Sequence, residues 1–139
     1  LQTAQLAARY ATPEQRQTLR DLVAQMRSAG SDHARRVACD TAIHTVIAEA
    51  SGNPLNSILL AALRTPVEAS SRIHFDDRRS ESELTRVIDA HEAVVERICA
   101  GDAMGAVSAM SYHFDMSIVH VNRREVNDAG GAPLAIGAH

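Results

Sequence analysis

Residues 32–51 read DHARRVACDTAIHTVIAEAS, and the fold and the chemistry of the chain both turn on this stretch. Val37, Asp40, His44 and Ile47 are separated by 3, 4 and 3 residues, so on an α-helix they share one face. Val and Ile at both ends mark that face as inward. An acid and an imidazole, one turn apart, therefore lie in the middle of an apolar stripe. Ser31 or Asp32 is placed to cap this helix, and Gly52-Asn53-Pro54 ends it and starts the next.

The same reading extends outward in both directions. Upstream, Thr12-Pro13-Glu14-Gln15 has the form of a helix start: a capping Thr, Pro at the first helical position and Gln at the third. Leu19, Leu22, Val23 and Met26 follow at helical spacing, and Gly30 closes that helix. The chain opens on a short Ala-rich segment, Leu1 to Arg9, that also reads as helix. Downstream, Leu55, Ile58, Leu59 and Ala62 begin another apolar face, which Pro66 is expected to kink or split. Asp76-Asp77-Arg78-Arg79-Ser80 reads as a surface connection. Ser80 or Ser82 then opens a helix through Leu84, Val87, Ile88, Val94, Val95 and Ile98, which Gly101 ends. Asp102 caps a last helix through Val107, Met110, Phe114, Ile118 and Val121. From Asn127 the chain is rich in Gly, Ala and Pro, and residues 128–139 are expected to form a flexible tail. The expected fold is all-α: an antiparallel bundle of six to seven helices in a single domain over residues 1–127.

Composition agrees with helices and narrows the partners. Hydrophobic residues make up 45% of the 139 and aromatics only 3%. That suits close helix packing and offers few platforms for stacking single-stranded nucleic acid. A net charge of −3 gives no basic surface for a phosphate backbone. No segment has the length of a membrane span and no apolar leader is visible, so a cytoplasmic protein is expected. Cys39 and Cys99, on different helices, fit two reduced thiols. There is no Ser-His-Asp order, phosphate-binding glycine loop or Cys-x-x-Cys pair, so an enzyme is not expected.

Two further helices repeat the pattern of residues 32–51. His91 is the one titratable member of the stripe Leu84, Val87, Ile88, Val94, Val95 and Ile98. His113 follows Ala106 and Met110 on the inward side of the last helix, with Ser117 and His120 beyond it. A buried carboxylate without partners costs several kcal/mol. Two arrangements remove that cost: a hydrogen-bonded His–Asp network, or a divalent cation shared by Asp40, His44, His91 and His113. Imidazole and carboxylate together suit Zn, Ni or Mn better than Mg. Spacing does not choose between the two, because it cannot bring three helices together. His120 is a candidate alternative ligand. His33 and His74, near helix ends, are expected to be exposed, and His139 lies in the tail.

In order along the chain, Asp40-Thr-Ala-Ile-His44, Ala50-Ser-Gly-Asn-Pro54, His91, Gly101-Asp102 and Met110-x-x-His113 resemble the FCD family, the C-terminal effector-binding domain of FadR-type GntR transcription regulators. The likeness runs from Ala7-Ala8-Arg9 to His113. It implies an antiparallel helical bundle that senses a small molecule through one metal ion held by Asp40, His44, His91 and His113, with a carboxylate of an organic acid on the ion's open side. It also implies a homodimer that meets DNA only through an N-terminal winged-helix domain, which this sequence lacks. Ile43 and Arg36 stand where the family commonly has aromatic residues, and Ala90-His91-Glu92 where Glu-His-Arg is common, so the pocket wall differs. Arg72 and Arg36 are the candidate effector contacts, since a guanidinium can grip a carboxylate at two points. The ordinary alternative for each is a solvated surface arginine. Two other functions remain in view: a metal-dependent enzyme with Asp89 or Glu92 as base, and a structural dimerisation module with a satisfied His–Asp core.

Overall fold

A computed structural model describes residues 1–75 and 80–130. Its described residues form seven helices and no strand: α1 (Gln2–Tyr10), α2 (Pro13–Ser28), α3 (His33–Ala50), α4 (Pro54–Ala62), α5 (Arg64–His74), α6 (Glu81–Ala100) and α7 (Ala103–Gly130). The chain is an all-α bundle, as its periodicity requires. The expected connection at 76–79 and the tail at 131–139 lie outside the described residues. Helix α7 continues to Gly130, past Asn127, where the tail was expected to begin.

The helix ends follow from local chemistry. Thr12 and Gln15 exchange side-chain and backbone hydrogen bonds of 3.2 and 3.0 Å, which satisfies two otherwise orphaned donors at the start of α2. Ser80 and Glu83 do the same for α6. Asp32, rather than Ser31, caps α3, and Asn53 caps α4. Gly101 ends α6 at φ +73°, a left-handed conformation that glycine adopts without a Cβ penalty. The break expected around Pro66 falls earlier, at Leu63, so Pro66 sits in the first turn of α5 where its missing N–H is harmless.

Packing centres on α1, which touches α3, α6 and α7. It can sit there because its inward residues are small: Ala4, Ala7 and Ala8 are fully buried, and the neighbouring backbones approach closely. Helix α2 packs on α3 and α6. The pairs α2/α3 and α6/α7, each joined by a short turn and packed together, run antiparallel. Leu19, Met26, Ile43 and Ile98 fill the space between them. Helices α4 and α5 lie against α3, with α5 also reaching α7. No residue of α4 is fully buried, and Leu55, Ile58, Leu59 and Leu63 are exposed along it and its end.

Arg16 joins three helix ends. From the first turn of α2 its guanidinium donates to the carbonyls of Ala11 (3.1 Å), Cys99 (2.8 Å) and Ala8 (3.4 Å). A cation at the C-terminal carbonyls of α1 and α6 satisfies groups that have no partner within their own helices and complements the helix dipoles. Replacing Arg16 with Ala is expected to cost about 1.5–3 kcal/mol, the range for hydrogen bonds to a charged group. Arg16→Lys should recover only part of this in urea unfolding, because one ammonium cannot span three carbonyls. Full recovery by Lys would show that charge alone is at work.

Candidate metal centre

Three of the most deeply buried side chains are polar: Asp40 and His91, each 2% exposed, and Ser71, at 1%. Asp40 touches both of the others. Asp40 projects from the middle of α3, where the Val37–Ile47 stripe turns it inward. Its Oδ1 meets Nε2 of His91 from α6, and its Oδ2 accepts from the Ser71 hydroxyl of α5. His44, one turn further along α3, places Nε2 3.8 Å from the same Oδ1. His113 of α7, also buried, completes the group. Its ring centroid lies 4.3 Å from that of His91 and 5.3 Å from that of His44. The convergence that periodicity could not supply is present: the ligand atoms of Asp40, His44, His91 and His113 all lie within 4.8 Å of one another.

The tautomer of His91 is informative. Its Nδ1 is 2.8 Å from the carbonyl of Val87, which can only accept, so Nδ1 carries a hydrogen. In the neutral ring Nε2 is then a lone pair aimed at a carboxylate, and two acceptors face each other. That contact is favourable only with a positive charge between them: a second proton on His91, or a metal ion. A ligating histidine commonly donates its other ring N–H to a backbone carbonyl in this way. An ion with bonds of about 2.0–2.2 Å holds its ligand atoms about 3–4.3 Å apart. The residues present fit one divalent transition metal with small adjustments.

Electrostatics favour a positive charge beside Asp40. Burial pushes the Asp40 carboxyl up, but the charge and hydrogen bond of His91, with His44 and Ser71, outweigh it and hold the group well below the usual carboxylate range. Burial also opposes charge on His91, yet Asp40 and the Val87 carbonyl leave its pKa raised. Burial lowers that of His44, against the attraction of Asp40 and with the repulsion of His91. Without metal, Asp40 and His91 thus each favour the charged form of the other.

Around the donors stand residues that sequence reasoning did not select. Phe75, completely buried just beyond α5, stacks on His91 with centroids 6.3 Å apart. Phe114, expected among the apolar stripe of the last helix, is instead 43% exposed and lies parallel to the His44 ring at 6.5 Å. Ser71 had one available signal: it lies one turn before Phe75, so the two share a face of α5. Phe114 had none, because a residue next to His113 should point elsewhere.

Two clefts flank α3. A small one of about 170 Å³ reaches His44 and is lined also by Thr3, Ile47, Asn56, Met110 and Phe114. A larger one of about 920 Å³ runs between α3, α4 and α5 and contains Arg72, Thr41, Thr45 and Glu68, but none of the four candidate ligands. Size favours the larger cleft as a binding site and chemistry favours the smaller. Only the smaller cleft touches a candidate metal ligand. Arg36 lines neither cleft; its guanidinium donates to the Gly30 carbonyl at the α2–α3 turn. Asp89 and Glu92, considered as bases, are on the outside of α6 and both pair with Arg27. The side chains of His120, Ser117 and His74 lie outside the described residues. Cys39 and Cys99 are free thiols, and neither belongs to the donor group. No helix among the described residues is long and apolar enough to cross a membrane.

Fold and site together define an all-α domain with a cluster of donors suited to a metal at its centre. The model of the FCD domain family matches residues 1–116, and the chain belongs to that family, the effector-binding domain of FadR-type regulators. No curated protein matches the chain.

The raised pKa of His91 sets a pH dependence for the metal-free domain. The folded state binds a proton more tightly than the unfolded chain, whose histidines titrate near 6.5, so this contribution is complete below about pH 6.5 and is lost as pH rises through the folded value. The His91 contribution to unfolding stability of the metal-free protein should therefore fall above pH 6.5, by at most about 1.4 kcal/mol per pH unit, so that the slope of stability with pH differs in His91→Gln, from which it is missing. Equal slopes in urea titrations from pH 6 to 9 would remove the buried imidazolium from this account.

Proposed function

We propose that this chain is the sensing domain of a GntR-type transcription regulator, and that it recognises a small organic acid through one divalent transition metal held by Asp40, His44, His91 and His113. The observation that carries this reading is the convergence of four donors from three helices, with three of them buried and the fourth, His44, 18% exposed at the small cleft. A bound ion there supplies a positive centre with positions left for carboxylate oxygen. The mixture of three imidazoles and one carboxylate favours Zn, Ni or Mn.

The remaining roles belong to the chain's own side chains. His44 is the donor that opens onto the cleft, with Phe114 lining it beside the His44 ring, and the apolar wall of Ile47, Met110 and Leu60 excludes water from one side of an acid bound there. A space of about 170 Å³ suits a compact acid rather than a fatty chain. Arg72 belongs to the larger cleft and Arg36 to a turn, so in this reading neither grips the acid. The acid changes the regulator only as far as it binds one arrangement of the helices more tightly than another. In a homodimer that preference is passed to winged-helix DNA-binding domains outside this sequence.

The test is metal analysis of the purified domain beside Asp40→Ala and His113→Ala, followed by a thermal-shift screen of small carboxylates on the metal-loaded protein. One equivalent of metal is expected in the parent and none in the variants. At least one acid should stabilise the loaded domain, by about 2.7 kcal/mol at a hundredfold excess over its Kd. A folded parent that takes up no metal contradicts the metal site. A loaded parent that no acid stabilises contradicts the sensing role.

A further inference from the structure

Helix α5 contributes no ligand to the donor group, yet one of its inward residues and the residue just past its end are pressed against it. Ser71 donates its hydroxyl hydrogen to Oδ2 of Asp40. Phe75, one turn on, covers the ring of His91. Both side chains are completely or almost completely buried.

We propose that Ser71 is a positioning residue for the metal: it fixes which oxygen of Asp40 faces the ion. The inference rests on the metal reading of the site. A carboxylate has two equivalent oxygens, each able to accept or to ligate, and its terminal torsion has broad, two-fold wells. Burial alone does not decide which oxygen turns toward the histidines. Ser71 decides it, because its single hydrogen occupies Oδ2, on the α5 side. Oδ1 is then left toward His91 and His44, on the side where the three imidazoles converge. Asp40 is thereby set to offer one oxygen, which keeps coordination positions free for an incoming group. Without the hydroxyl, Oδ2 loses a buried hydrogen bond and the carboxylate can rotate or offer both oxygens. The contact also ties α5 to α3 through a ligand, so the placement of α5 and the occupancy of the site depend on each other.

Zinc affinity measured by competition with a chromophoric chelator tests this in the parent, Ser71→Ala, Ser71→Thr and Ser71→Val, with urea unfolding of each metal-free protein in parallel. Thr and Val have nearly the same bulk, so their difference isolates the hydroxyl even if Ala proves too unstable to load. The expected result is an affinity about 10- to 100-fold weaker in Ala and Val, with Thr close to the parent. With Co(II) in place of zinc, the visible absorption of the Val variant should shift, and that of Thr should match the parent. Metal-free stability that falls in Ala and Val while zinc affinity stays at the parent's value would overturn the proposal and leave Ser71 a purely structural contact. A parent that binds no zinc would bring down the underlying metal reading, a failure visible in the parent's own titration.

Discussion

A carboxylate with 2% exposure at the centre of a helical bundle must be neutralised, and much of this structure is arranged around that requirement. Asp40 draws His91 from α6 and Ser71 from α5, while His44 on its own helix and His113 from α7 close the group. Four helices thus meet at one charged point. Removing either partner of such a buried pair usually costs far more than the pair itself contributes, because the remaining charge is left without compensation. The bundle would be simpler with apolar residues at these positions, and that cost is the physical reason to look for a function here.

The rest of the fold makes that meeting point possible. Alanines on α1 let it lie close to α3, α6 and α7, so the donors on those helices come within reach of one another. Arg16 gathers the ends of α1 and α6 onto α2. The Val87 carbonyl sets the ring of His91, and Phe75 sets its tilt. Each of these contacts is modest alone. Together they hold four donors within a few ångström, which a loop-built site would achieve less precisely.

Much of this was legible in the sequence because helical periodicity is a local property. The 3-4-3 spacing of Val37, Asp40, His44 and Ile47 is enough to put an acid and a histidine on an inward face, and Thr12, Asn53, Ser80 and Gly101 announce their helix ends by residue type. Convergence is not local. Nothing in the sequence of α6 says that His91 meets Asp40; the likeness to the FCD family supplied that, and the match over residues 1–116 bears the family out. Ser71 escaped notice because its one signal, a shared face with Phe75 one turn on, is weak in a half-polar helix. Arg36 looked available for a ligand because its engagement with the Gly30 carbonyl depends on the geometry of a turn. The side of α3 on which Arg72 falls likewise depends on how α5 packs, not on its own sequence.

The central claim is that the positive charge opposite Asp40 is a metal ion, which takes the place of the proton on His91 when it binds. X-ray absorption at the metal edge of the zinc-loaded domain examines that charge directly. The account predicts a single shell of nitrogen and oxygen neighbours at about 2.0–2.2 Å, with the multiple-scattering features of three imidazoles. A shell containing sulfur at about 2.3 Å would place the ion on Cys39 or Cys99 instead, and would contradict the assignment of these four residues.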